Sequence, residues 1–348
     1  MAIVGGFDVH RAQITFDYLD TDTGEVVRGQ IRPATRSGLH SWLGRFAGRT
    51  EVAFAVEGCT GWRFVVEEMV AAGITPHLAE PADTATLRGR RKRAKTDRAD
   101  ARLERELLCQ GRLPESWIAP THVLEVRTLV RLYIALMDQR RVWQQRIQAQ
   151  LFHQGAPALS GLLTEAGRAT LANAVLSAAG RQSIETALSA IDRLSELVTP
   201  LRGQLQAVGR HQAGARALTA QYGIGPLLAA VIWAELGDCR RFRNSDQAVR
   251  FAGLDVTVWS SDARRSAGHL ARQGSPALRW ALFEAAMSAT RSSSPDHDYY
   301  QSVDERLGGR RPALSVARKL VRRCYHRLRE LGDEGWSPTG SSIERKAA

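Results

Sequence analysis

Residues 51–57 read EVAFAVE, apolar at almost every position between two acidic ends. A strand with one wet face alternates polar and apolar residues, so a short unbroken apolar run predicts a strand buried on both faces. Few folds cover a strand on both sides, and the flanking segments narrow the choice. Residues 3–10 (IVGGFDVH), 14–20 (ITFDYLD) and 25–32 (EVVRGQIR) read as strands, with Thr21, Asp22 and Gly24 marking the turn between the last two. A helix is expected near 36–47 and another near 62–73, followed by a short strand at 75–79 and a helix from about 82 to 110.

The order is βββαβαβα. A three-stranded meander followed by alternating units is the ribonuclease H-like order, which predicts an α/β N-terminal domain over residues 1–112. Residues 121–154 have few helix breakers and predict one long helix; GAP at 155–157 turns the chain, and a further helical stretch is expected over 159–179. Ile184, Leu188, Ile191, Leu194, Val198, Leu201 and Leu205 then recur close to a heptad seam, which Pro200 interrupts. Residues 113–210 thus predict a long α-helical, coiled-coil-like connector, either part of a helical bundle or a dimerising arm. Compact helices at 214–221, 225–236, 246–253, 275–290 and 312–331 predict a small α-helical C-terminal domain over 211–333, and residues 334–348 a polar, disordered tail.

Charge is distributed unevenly along the 348 residues. The formal net charge is +12, and of the 48 basic residues all but four are Arg. Residues 1–87 hold seven arginines against eleven acids, a net of −4, whereas residues 88–110 hold nine basic against four acidic residues, a net of +5. Such a balance points to a polyanion, nucleic acid before membrane, although abundant Ala and Gly beside Arg also reflect a GC-rich coding genome. No apolar run approaches the roughly 20 residues of a spanning helix. MAIVGGFDVH does not read as a signal peptide, and Cys59, Cys109, Cys239 and Cys324 form no C-x-x-C pair, so a reducing cytoplasm is expected and a leader, zinc or disulfides are not.

Four acids occupy telling places on this fold. Asp8 lies in the first strand, Glu57 ends the fourth, and Asp97 and Asp100 stand at i and i+3 on one face of the last helix. In a ribonuclease H-like sheet the first and fourth strands are neighbours and the last helix crosses them, so all four can converge. Converging carboxylates repel unless a cation neutralises them; hard oxygen donors suit Mg²⁺, with Mn²⁺ as an alternative, and such clusters cleave phosphodiesters. Taken singly, each acid also reads as a strand-end, capping or helix-surface residue. Beside them RGRRKRAKTDR places Arg88, Arg90, Arg91, Lys92, Arg93, Lys95 and Arg98 within eleven positions. Packed like charges call for a counter-charge, and a phosphate backbone supplies one; otherwise the run is a solvated loop.

Further on, Gly223-Ile224-Gly225-Pro226 precedes a helix and predicts a helix-hairpin-helix-like turn whose exposed N–H groups hold a DNA phosphate, or a plain helix–helix turn. Residues 251–282 read as a loop in which Ser260 and Ser261 are followed by Arg264, Arg265, Arg272 and Arg279. A serine among guanidinium groups can attack a phosphodiester, although a loop serine is more often a capping residue. The helix at 312–331 sets Arg318, Lys319, Arg322, Arg323, Arg327 and Arg329 against Leu314, Val321 and Leu328, a face suited to phosphate contact or to solvent.

GFDVH with Asp8, AVEGCTGW with Glu57, KTDRADA with Asp97 and Asp100, YGIGPLLAA, and FAGLDVTVWSS with the later RQG and Leu278-Arg279 resemble, in order and spacing, the DEDD-type transposases of the insertion-sequence 110 family, the bridge-RNA-guided recombinases. The resemblance runs from about residue 3 to 330. It implies a RuvC-like first domain, Mg²⁺ at Asp8, Glu57, Asp97 and Asp100, a catalytic serine at Ser261 that links transiently to DNA, and a homo-oligomer, dimer or tetramer, that joins acids and serine from different protomers. It further implies double-stranded donor and target DNA as substrates, a structured noncoding guide RNA, and a place at the bacterial nucleoid. Asp262 stands where the family usually has Gly, leaving Ser260 as a second candidate; Val256 stands where Pro is frequent, and Arg272 where Lys is usual. Two other functions fit the acids and the charge: a Holliday-junction-type metal nuclease using water, and a non-catalytic nucleic-acid-binding scaffold.

Overall fold

The computed structural model describes residues 2–87, 96–257, 260–261, 264–265, 269–270 and 274–338. The chain divides into two compact units, Met1–Ile118 and Ala119–Ala348.

The first unit is built on five strands: β1 (Ala2–Val9), β2 (Ile14–Asp20), β3 (Val26–Ile31), β4 (Glu51–Glu57) and β5 (Thr75–Ala79). They lie in the order β3-β2-β1-β4-β5. The meander is antiparallel, with Asp8 opposite Thr15, while β4 joins β1 in parallel with Phe7 beside Val56, and β5 joins β4 in parallel with Glu57 beside Ala79. This mixed sheet is compatible with the ribonuclease H-like arrangement. One face of β1 and β4 presents Ile3, Phe7, Val52, Phe54 and Val56 to Leu39, Trp42 and Leu43 of α1 (Arg36–Leu43) and Val65, Val66 and Met69 of α2 (Trp62–Ala71). The Phe7 and Phe54 rings stack at 4.5 Å, and Trp42 meets both. In β4 the consecutive residues Phe54, Ala55 and Val56 are all buried, as expected of a strand covered on both sides.

The helix expected from 82 to 110 is two helices, α3 (Pro81–Thr86) and α4 (Asp97–Cys109). A hydroxyl at Thr96 accepts from Ala99 N, so α4 has its own N-cap and starts afresh at Asp97. Its polar but strongly one-sided sequence buries Asp100, Ala101, Glu104, Arg105 and Leu107 against the second face of the sheet.

In the second unit α5 (Thr121–His153) and α7 (Ala178–His211) run antiparallel, with Ile147 and Leu151 of α5 packed on Ile184, Ala187 and Ile191 of α7. Between them the helix expected over 159–179 shortens to α6 (Glu165–Asn173), because Thr164 and Ser177 cap new helix starts within that stretch. Pro200 does not break α7: it sits on an exposed position, where a lost N–H donor is replaced by solvent while Val198 and Leu205 stay buried.

The boundary expected at 210 separates no compact units, because α7 continues to pack on the helices that follow. A Cβ at Gly209 would lie 2.8 Å from Pro226 Cα. Next come α8 (Ala213–Leu218), α9 (Pro226–Leu236) and α10 (Ser245–Phe251). Helix α9 is buried at every position from Ala229 to Leu236, and two largely buried arginines cap its C-terminal carbonyls: Arg127 donates to Ala234 O at 2.7 Å, Arg241 to Leu236 O at 2.9 Å. The stretch expected as loop contains two short antiparallel ladders, β6 (Val256–Thr257) with β9 (His269–Leu270), and β7 (Ser260–Ser261) with β8 (Arg264–Arg265).

Helices α11 (Pro276–Met287), α12 (His297–Leu307) and α13 (Arg311–Leu331) complete the unit. Periodicity does not reveal α12, which buries only Tyr300 and Val303. The first residues of the tail expected from 334 are ordered: a 3₁₀ turn spans Gly332–Gly335, and Trp336 is buried, stacked on Trp233 at 5.5 Å. The aromatic surface of one tryptophan outweighs its polar neighbours. No described helix is long and apolar enough to cross a membrane.

Candidate active site

One glycine brings the acids together. At Gly6 a Cβ would lie 2.8 Å from Arg105 N and 2.9 Å from Glu104 Cβ, so α4 crosses β1 with its backbone almost on the strand. Asp17, directly across from Gly6 on β2 and 1% exposed, clamps that crossing: Arg105 Nε donates to Oδ1 and Arg28 Nε to Oδ2, each at 2.6 Å. Gly6 and Asp8 share a face of β1. The face that admits α4 therefore also presents Asp8 to the start of that helix.

The charges nearest Asp8 are those of His10, Asp97 and Asp100. Burial raises the Asp8 carboxyl above its ordinary value; the His10 charge lowers it, and the negative charges of Asp97 and Asp100 raise it further. His10 Nε2 lies 3.1 Å from Asp8 Oδ2 and 3.4 Å from Asp97 Oδ1. Ligand-type atoms of Asp8, His10 and Asp97 all fall within 4.8 Å of one another. Gln13 Nε2 donates to Asp97 Oδ2 at 3.2 Å, and Arg32 in turn donates to Gln13 Oε1.

Asp100 and Glu57 stand outside that tight group but border it. Asp100 is buried one turn along α4. Glu57 is half-buried and follows Val56, the partner of Phe7, as Asp8 follows Phe7, so the two acids end neighbouring strands at the same level. Four carboxylates on one sheet end, one with its ionised form destabilised, form a donor set that fits a hard divalent cation. His10 and Gln13 escaped notice in the sequence. The signal was there for His10, since a residue two past a strand aspartate shares its face; Gln13 needs the β1–β2 turn to reach Asp97, which no local pattern shows.

The expected nucleic-acid residues fall in several different settings. Arg88, Arg90, Arg91, Lys92, Arg93, Lys95, Arg272 and Asp262 lie outside the described residues. Ser260 and Ser261 stand opposite Arg265 and Arg264 in the β7–β8 ladder, a backbone register that puts both serines beside both arginines in the fold. Arg98 is exposed on the first turn of α4. Gly223 (φ +86°) and Gly225 form the turn into α9; Gly225 opens onto free space, whereas a Cβ on Gly223 would lie 3.1 Å from Ser288 Cβ, so its lack of a side chain also serves packing against α11. The α13 cations are already engaged. Arg318 Nε donates to Leu254 O at 2.6 Å, Lys319 Nζ lies 3.0 Å from Asp296 Oδ1, and Arg322 Nη2 lies 2.9 Å from Asp246 Oδ1. Arg279 Nη1 donates to Ala252 O at 3.3 Å.

Comparison with known families places both halves of the chain. Residues 5–153, which include Asp8, Glu57, Asp97 and Asp100, match a transposase family model of the DEDD, IS110 type, and residues 215–301 match the "Transposase IS116/IS110/IS902 family". The chain is 32% identical over 242 residues to "Putative transposase y4rJ" of Sinorhizobium fredii, which covers 62% of this chain and 60% of that protein. It is 30% identical to the "Probable family 20 transposase" of Pseudomonas aeruginosa over 38% of this chain and 39% of that one, and 29% identical to the "Insertion element IS116 uncharacterized 44.8 kDa protein" of Streptomyces clavuligerus over 31% and 27%. The matched segments thus span less than two thirds of each relative's length. With its acids and its serine-bearing ladder each inside a matched segment, the chain belongs to the IS110-type DEDD transposase family.

Proposed function

We propose that this chain is the DNA transposase of an insertion sequence, cleaving and rejoining donor and target DNA under the direction of a structured noncoding RNA. The observation that carries the reading is the approach of Asp8 to Asp97 and Asp100, enforced by the Gly6 crossing of α4. In this reading the first unit is RuvC-like, and Asp8, Glu57, Asp97 and Asp100 hold Mg²⁺ or Mn²⁺. A cation bound there stabilises negative charge on the phosphate oxygens.

The chain's own groups do the rest. Ser261 Oγ attacks the phosphorus; a phosphoserine bond forms, the P–O bond to the DNA strand breaks, and the departing oxygen takes up the serine proton. A DNA hydroxyl then attacks the phosphoserine, and the serine oxygen leaves with a proton returned to it. Arg264, Arg265, Arg272 and Arg279 stabilise charge on the phosphate in flight. Gly223 and Gly225 present helix-start N–H groups to a backbone phosphate in the manner of a helix-hairpin-helix. Arg88 to Arg98 neutralise the strand beside the acids. A homo-oligomer brings the serine of one protomer to the acids of another.

Covalent capture tests this. Protein incubated with its co-purifying RNA and DNA carrying the element's ends is denatured and probed for protein-linked DNA. Asp8→Asn and Ser261→Ala each should abolish the linked species. A link that survives Ser261→Ala but not Ser260→Ala moves the nucleophile to Ser260. Cutting that survives loss of both serines supports a water-using nuclease, and activity untouched by Asp8→Ala supports a non-catalytic scaffold.

A further inference from the structure

We infer that His10 is a third donor at the acidic centre, its imidazole nitrogen standing beside the Asp8 and Asp97 carboxylates, so that the centre prefers Mn²⁺ or Co²⁺ to Mg²⁺, which rests on the reading of those acids as a cation site.

Three features carry it. First, His10 Nε2 is the atom between the two carboxylates, 3.1 Å from Asp8 Oδ2 and 3.4 Å from Asp97 Oδ1, and the three residues' donor atoms fit within 4.8 Å of one another. Second, the backbone fixes this placement. His10 is one residue past β1 and shares the Asp8 face, and its N–H donates to Gln13 O at 2.9 Å across the tight β1–β2 connection. Third, Asp97 is oriented from behind. Gln13 donates to Oδ2 and is itself held by Arg32, which leaves Oδ1 turned toward His10. Outer hydrogen bonds that leave one carboxylate oxygen for the ion are the usual support of a metal ligand.

An exposed His–carboxylate contact without this function is worth little, since His10 is 53% exposed by its side chain. The imidazole changes the chemistry of the set: a nitrogen donor favours first-row transition ions, Co²⁺ and Zn²⁺ above Mn²⁺, while Mg²⁺ favours oxygen ligands and its own waters. Glu57 and Asp100 add further oxygen without altering that bias.

Titration of the full-length protein with MnCl₂, CoCl₂ and MgCl₂, together with pulsed electron paramagnetic resonance of the Mn²⁺ complex, tests the assignment. The wild type should bind Mn²⁺ more tightly than Mg²⁺ and show hyperfine coupling to an imidazole nitrogen. His10→Ala should weaken Mn²⁺ and Co²⁺ binding by about tenfold or more, leave Mg²⁺ binding nearly unchanged, and remove the coupling. His10→Gln, which keeps an oxygen donor of similar reach, should also lose the coupling. Absence of the coupling in the wild type, or equal loss for both classes of ion in His10→Ala, overturns the assignment while Asp8→Asn still abolishes binding. If wild type and Asp8→Asn bind none of the ions, the cation-site reading falls and the role of His10 falls with it.

Discussion

Gly6→Ala joins the fold to the site in a single methyl group. The new Cβ would stand 2.8 Å from Arg105 N and 2.9 Å from Glu104 Cβ, where ordinary contact begins at 3.4 Å, and its neighbours are helix backbone that cannot rotate away. Helix α4 must retreat by about half an ångström or more, against the Arg105–Asp17 clamp. Overpacking of this kind costs about 1–3 kcal/mol, or roughly a fivefold to hundredfold faster exchange of the amides that open with that contact. The same retreat draws Asp97 and Asp100 from Asp8, and a displacement of about 1 Å at reacting groups is worth about 10²-fold in rate. Hydrogen exchange of the full chain, read on β1 and α4 with and without MnCl₂, should show both effects: faster exchange, and little of the protection that Mn²⁺ gives the wild type. Gly44→Ala is the control, because a Cβ there meets nothing within 4 Å and its φ is −55°. Should Gly6→Ala exchange and bind Mn²⁺ as Gly44→Ala does, the close crossing does not position the acids.

Two further outcomes concern the second unit. Burial pushes the Asp296 carboxyl up, but hydrogen bonds from Arg323 and Lys319 prevail and hold it below its ordinary 3.8. A depressed carboxyl contributes stability above its unfolded value and loses it as pH falls through the folded one, so the wild-type urea midpoint should drop below pH about 3.8, more steeply than that of Asp296→Asn; parallel curves count against the tether. Trp336→Ala removes the ring from its stack on Trp233 and should cost the second unit about 3 kcal/mol in urea; an unchanged midpoint would mean the stack does not hold the end of α13.

What the sequence made legible was what repeats at short range. The unbroken apolar run of β4 and the three strands before it led to the element order, and that order made the first and fourth strands neighbours; the structure sets Asp8 and Glu57 on those neighbouring strands. Readings failed where one local group decided: Thr96 restarts a helix, an exposed Pro200 is tolerated within one, and Trp336 fixes a terminus that its neighbours' polarity argues against. The intramolecular partners of the α13 cations were illegible for a different reason. Its partners, Leu254, Asp246 and Asp296, are 64, 76 and 27 residues from Arg318, Arg322 and Arg323, beyond any periodicity. This bears on the net charge of +12. A phosphate responds to cations whose field is not already matched, and Asp296 alone faces both Lys319 and Arg323 at hydrogen-bond distance. Formal charge therefore overstates the field that α13 offers to a phosphate; Arg98, on the capped start of α4, is exposed one residue from Asp97. In the proposed reading, a cation so placed draws a phosphate toward the acids that would cut the strand.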